Sequence, residues 1–170
     1  EIVPNINRLA AAVRSAGATV VWIAMTHTDD VEVNWTTYGA LYTEEIDARR
    51  AQALTRGTKG HEFIETLDVR PGEPIIEKTR FSALVQGSSE LDAFLRARGI
   101  DTLLITGCLT DVCCESTGRD GMMLDYRVIM VTDANAADTD ADHNAALCAF
   151  YTTFGDIMPT DMVVDLLGRA

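Results

Sequence analysis

The chain has 170 residues, 47% of them apolar and 24% charged, a balance that fits one folded domain and excludes a disordered chain. No apolar run approaches the roughly 18 residues needed to span a bilayer, which excludes a transmembrane segment in this sequence. With 14 basic against 26 acidic residues the net charge is −12, a field that repels phosphate backbones and anionic lipid surfaces, so nucleic acid and membrane are not expected partners.

In chain order, residues 2–16 read as an amphipathic helix with Ile2, Ile6, Leu9 and Val13 on one face and Gly17 as its stop. Residues 19–25 form a nearly continuous, β-branched apolar run that suits a parallel strand buried on both faces. Residues 31–72 are the long irregular stretch, an insertion of lid-like character that holds Trp35, Tyr38, Tyr42 and a helical piece over 44–55. A strand over 74–77, a helix over 88–98 capped by Ser88 or Ser89, and a strand over 101–106 follow. A helix over 110–124, a strand over 127–132, a helix over 140–154, a short strand over 156–158 and a helix over 160–167 complete the row. This alternation implies an α/β domain over 1–170, a mainly parallel sheet with helices on both faces. Such domains open with a central strand, whereas this sequence opens in a helix; the first strand is therefore expected to be missing from it.

Four cysteines are present, and Cys108, Cys113 and Cys114 fall within seven residues, which is no disulfide framework and points to a reducing, cytoplasmic compartment. The segment Thr106-Gly-Cys-Leu-Thr-Asp-Val-Cys-Cys-Glu-Ser-Thr117 carries the most chemistry. A strand ends at Gly107, a turn follows, and a helix starts near Thr110, at the carboxyl end of the sheet where open α/β domains bind ligands. Cys113 then stands in the first helical turn. There the free N–H groups and the helix dipole lower a thiol's pKa and can hold an oxyanion. The alternative for Cys113 is a core cysteine, the reading that fits Cys114 and Cys148 better.

Lys78 and Lys59 are the only lysines among 14 basic residues, and Lys78 ends the apolar strand Ile75-Ile76-Glu77. It reads either as a functional point charge or as a solvated strand end. Cys108, Cys113 and Cys114 with His143 could supply soft ligands, but their spacing lacks the paired C-x₂-C of zinc sites, and no metal or other cofactor is expected. No G-x-S-x-G elbow supports a serine triad. His143 reads as part of a helix start, His27 as a residue of the crevice, and His61 as part of the irregular stretch.

Gly107-Cys-Leu-Thr-Asp-Val-Cys113 with Glu115-Ser-Thr-Gly-Arg-Asp120 resembles the nucleophile segment of the isochorismatase-like cysteine hydrolases. Glu77-Lys-Thr-Arg-Phe-Ser-Ala83 resembles their lysine segment, and Val131-Thr-Asp-Ala134 and Phe154-Gly-Asp-Ile-Met158 match later landmarks, so the resemblance runs through nearly the whole chain. It implies a three-layer α/β/α sandwich and a Cys–Lys–Asp triad in which Cys113 is the nucleophile and Lys78 the lysine. The triad Asp ends the first strand in that family, and no Asp in this sequence fits its motif. The resemblance also implies a non-proline cis peptide at Cys108–Leu109, with the backbone N–H groups of Leu109 and Cys113 forming an oxyanion site. A Thr110 side chain capping the Cys113 N–H would compete with that role.

The implied activity is hydrolysis of a C–N amide bond through a thioester. The Thr110–Thr117 stretch is most similar to the ureidoacrylate and biuret branch, so a small carbamoyl or ureido amide is the expected substrate. Asn34, Trp35 and Tyr38 are candidate pocket residues and Arg80 a candidate partner for a substrate carboxylate; ordinary loop packing and a surface ion pair are the alternatives. The resemblance further implies a homo-oligomer. Two other readings stand beside it: a binding protein that kept the fold without catalysis, or a thiol redox protein using Cys113 with Cys114 or Cys108.

Overall fold

Pro4 lies in the first turn of α1 (Val3–Ser15), where its missing N–H leaves no helical bond unmade, and Gly17 just past the helix end takes a positive φ of 73°. The structure, a computed structural model, describes residues 1–30 and 35–169. After α1 come β1 (Trp22–Met25), the short α2 (Thr36–Gly39), α3 (Glu44–Leu54) and β2 (Ile75–Lys78). Then follow α4 (Leu91–Arg96), β3 (Thr102–Cys108), a π-helical turn over Thr110–Cys114, α5 (Glu115–Met123) and β4 (Arg127–Ala136). The chain closes with α6 (Asp140–Tyr151), β5 (Asp156–Met158) and α7 (Thr160–Leu167).

Every strand pairing is parallel, as the alternation of strand and helix requires. Among the described residues the sheet comes in two pieces, β1–β2 and β3–β4–β5, with Met25 opposite Lys78 in the first. The edges of β1 and β3 border one apolar cavity of about 1,020 Å³, whose lining includes Leu9 and Val13 of α1, Ile23 of β1, and Leu103 and Ile105 of β3.

Alternation along β4 builds a core on each face of the larger sheet. Val128 and Met130 pack with Leu91, Leu95, Leu147 and Phe150, while Val131 packs with Leu9, Val13 and Val163. Helices α4–α6 thus cover one face and α1 with α7 the other, which gives the three layers. Gly118 of α5 allows a close approach of two layers: a Cβ there would stand 2.7 Å from the Phe150 ring.

Several expected boundaries move. The helix expected over 88–98 begins only at Leu91, because the Ser88 hydroxyl is spent on the Ser82 carbonyl while Ser89 Oγ accepts from the Leu91 N–H. The helix expected over 110–124 starts as a π turn before continuing as α5. β4 runs on to Ala136 rather than stopping at Thr132, because a bulge lets it resume pairing: Ile105 faces Met130, but Gly107 faces Asn135. The stretch over 31–72 includes α2 and α3, the latter capped by Thr43 and opened by three acidic residues.

Candidate active site

The bulge sets the approach to Cys113. Asn135 bridges it, its Nδ2 donating to the carbonyls of Ile105 (2.8 Å) and Val131 (2.7 Å). Gly107, at φ 120°, lies in a region that favours glycine, and the following Cys108–Leu109 peptide is cis. The Leu109 carbonyl accepts from two amides, Val112 (3.2 Å) and Cys114 (3.1 Å), and the Glu115 N–H reaches back to Thr110 across the wider π turn. The Leu109 N–H donates to no backbone or side-chain acceptor among the described residues. Cys113 is partly exposed on this turn.

Thr110 is fully buried, and its hydroxyl does not cap the turn; it lies 2.8 Å from Nδ1 of His143 on α6. The expected competition for the Cys113 amide is therefore absent. His143 belongs to this site rather than to the cap of α6, which Thr139 supplies by accepting from the Asp142 N–H.

Lys78 is 5% exposed, so it is no solvated strand end. Its Nζ donates to the carbonyls of Arg80 (3.1 Å) and Phe81, and no Asp or Glu of the described residues forms an ion pair with it. Serine hydroxyls fix the loop that carries those carbonyls: Arg80 N–H donates to Ser88 Oγ, and Leu84 and Val85 N–H donate to Ser82 Oγ. Thr117 ties the loop to the nucleophile turn, accepting from the Ala83 N–H at 3.1 Å while donating to the Cys113 carbonyl at 2.7 Å. Lys78, Cys108, Cys113 and Cys114 all line the large cavity at the carboxyl ends of the strands. Thr117, Asn135, Ser82 and Ser88 were not distinguishable in the sequence, since their roles depend on partners far along the chain.

The structure brings together three of the four expected pocket residues, while Asn34 lies outside the described residues. Trp35 stacks on Tyr38 at 4.6 Å, both meet Phe81 edge-on at 4.8 and 4.9 Å, and the Arg80 guanidinium lies over Trp35 at 5.3 Å. Phe81, which the sequence did not single out, joins this aromatic wall to the Lys78 loop. Burial lifts the Tyr38 phenol to about 12, so it stays protonated at neutral pH. A cavity of about 310 Å³ at the end of β1 is lined by Thr26, His27, Trp35, Tyr38 and Arg50. His27 lines this smaller cavity rather than the one that holds Cys113 and Lys78, and His61 holds the buried Thr26 hydroxyl at 2.8 Å.

The remaining cysteines divide. Cys114 is buried, and burial pushes its thiol up, as suits a core residue. Cys108 is exposed at the turn, with desolvation and the neighbouring Cys113 raising its pKa. Cys148, expected in the core, is exposed. Helix α6 is apolar around most of its circumference, so its sequence does not reveal that Ala146, Leu147 and Phe150 form the inward face. Among the described residues no three His, Cys, Asp or Glu side chains gather into a metal-holding group, so Cys108, Cys113, Cys114 and His143 do not form one. Among the described residues no helix is long and apolar enough to cross a membrane.

The family model for the isochorismatase domain matches residues 1–162. A ureidoacrylate amidohydrolase of Methylorubrum extorquens is 37% identical over 163 residues, covering 91% of this chain and 65% of that protein. One from Caulobacter vibrioides is 36% identical over 169 residues, covering 94% of this chain and 74% of its own length. Among solved structures, a cysteine hydrolase from Pseudomonas syringae pv. phaseolicola superposes with a TM-score of 0.85 at 30% identity, over 99% of this chain and 80% of the other. The chain therefore spans about two thirds of the length of the Methylorubrum relative it matches.

Proposed function

The chain belongs to the isochorismatase family, and from that premise we propose that it is a cysteine amidohydrolase that opens a C–N bond in a small ureido or carbamoyl compound. The observation that carries this reading is the meeting of Cys113 and the buried Lys78 in one cavity, on a turn and a loop bridged through Thr117. The relatives named ureidoacrylate amidohydrolases favour a ureido acid as substrate. Trp35 and Tyr38 offer flat apolar surface to its planar group, and Arg80 offers a cation to its carboxylate.

In this mechanism the Cys113 thiol loses its proton to a carboxylate and the thiolate attacks the carbonyl carbon. Negative charge collects on the carbonyl oxygen, which the N–H groups of Leu109 and Cys113 receive. The C–N bond breaks, the amine departs with the proton that Cys113 gave up, and Cys113 is left acylated. Water then attacks the acyl carbon, the C–S bond breaks and the thiol is restored. Splitting the reaction in this way replaces one difficult displacement by two easier ones.

Lys78 supports the carboxylate step. A buried ammonium held only by carbonyl oxygens favours an anion beside it. The family resemblance implies that this carboxylate is an aspartate, which would have to reach the cavity where Lys78 and Cys113 stand together. The clustered cysteines favour a reducing compartment such as the cytoplasm, and the family resemblance favours a homo-oligomer.

The test is ammonia release from ureidoacrylate, biuret and simple amides, with peptide mass spectrometry of Cys113 after rapid quench. Turnover of a ureido substrate, an acyl adduct on Cys113 and loss of turnover in Cys113→Ala are expected. Turnover near the parent level in Cys113→Ala overturns the reading.

A further inference from the structure

The contact between Thr110 and His143 has no part in the chemistry above, yet it joins α6 to the first residue of the nucleophile turn. Thr110 is fully buried between Leu109 and Cys113, the two residues whose amides face the developing oxyanion. The N-cap of that turn is Leu109, whose side chain has no polar group to offer, and Thr110 is the first residue inside the turn. The Thr110 hydroxyl is engaged by His143 Nδ1 at 2.8 Å, and the turn carries no side-chain cap.

The histidine is itself firmly held. It lies in the first turns of α6, its amide donates to the Thr139 carbonyl at 3.0 Å, and Thr139 caps that helix. The inward residues of α6, Leu147 and Phe150, anchor the helix in the core. His143 therefore presents its ring from a rigid element to a mobile-hydroxyl partner on the reacting turn.

We infer that His143 is a positioning residue: by holding the buried Thr110 hydroxyl it fixes the turn that presents the Leu109 and Cys113 amides to the substrate carbonyl. The inference rests on Cys113 being the nucleophile. A turn released from that contact shifts the two oxyanion donors, and small displacements of this kind cost about tenfold to a hundredfold in rate. Substrate binding, which depends on the aromatic wall, is left alone.

The test is steady-state kinetics of the full chain carrying His143→Leu, His143→Asn, Thr110→Val, Thr110→Ser and the Leu/Val double replacement, with the folded fraction taken from urea melts. His143→Leu and Thr110→Val are each expected to lower kcat per folded molecule by about tenfold or more with KM within about threefold. His143→Asn, which keeps a polar atom near the place of Nδ1, and Thr110→Ser, which keeps the hydroxyl, are expected to recover most of the rate. The double replacement is expected to be no worse than the poorer single one, because both act through one contact. Should His143→Leu fail to fold, Thr110→Val and the two conservative replacements still decide. Unchanged kcat per folded molecule in Thr110→Val or His143→Leu overturns the inference, as does full additivity in the double replacement. If Cys113→Ala keeps its turnover, the nucleophile reading itself falls; if only Cys113→Ala is inactive, the positioning role alone falls.

Discussion

Lys78 shows how one residue's meaning depends on its depth. Its ammonium is buried, bonded to the carbonyls of Arg80 and Phe81, and without a carboxylate partner among the described residues. Maintaining a charge there costs stability, since a buried ion without a counter-ion loses its hydration. Lys78→Met keeps the stem and removes the charge. It is expected to lower kcat/KM by about a hundredfold or more while urea melts show the variant still folded. A fall in stability with activity retained would assign Lys78 to the fold instead. Asn135 is the structural counterpart: both hydrogens of its amide are committed across the bulge, so the geometry around Gly107 and Cys108 hangs on one side chain.

At the scale of elements, α1 is fastened to the entrance of β2 by a charged cluster. Arg14 donates to both oxygens of Glu73 (2.6 and 3.0 Å) and to Asp68 (2.7 Å), while the Trp22 indole and the Arg70 amide also donate to Glu73. The Arg14 guanidinium, with these neutral donors, holds the Glu73 carboxyl at about 2 against an ordinary 4.5. A depressed carboxyl stabilises the fold fully above its unfolded value and loses that contribution as pH falls through the folded one. Glu73→Gln is therefore expected to cost about 2 kcal/mol at neutral pH. In melts recorded against pH, the gap between parent and variant should close from about 4.5 down to about 2. A gap that stays constant over that range would show that the cluster acts by packing alone.

For the whole molecule, the division of the sheet sets where stability resides. β4 is flanked by β3 and β5 and carries Met130 and Val131, both fully buried between the two cores. Among the described residues β1 and β2 pair only with each other, and Ile75 at the start of β2 is more than half exposed. Native-state hydrogen exchange is expected to be slowest at the β4 amides, which are paired on both sides and face both cores, and faster at β2, which has one partner among the described residues. Equal protection across both pieces would show that they unfold as one unit.

Local pattern decided much of this protein. The apolar runs over 19–25 and 101–106 and the helix stop at Gly17 declared strands, helices and a parallel order, because side-chain periodicity and backbone sterics act over a few residues. The same short range made Cys113 and Lys78 visible, through the motif around each and its place at a strand end. Partners distant in the chain were decided only by the tertiary structure. Thr110 meets His143 33 residues on, Ala83 reaches Thr117 34 residues on, and Asn135 spans back 30 residues to Ile105. Cys148 likewise turned outward on a helix whose apolar residues point all ways. A hydroxyl, an amide or an imidazole has several possible partners, and which one it takes is fixed only when packed layers bring two segments within a hydrogen bond.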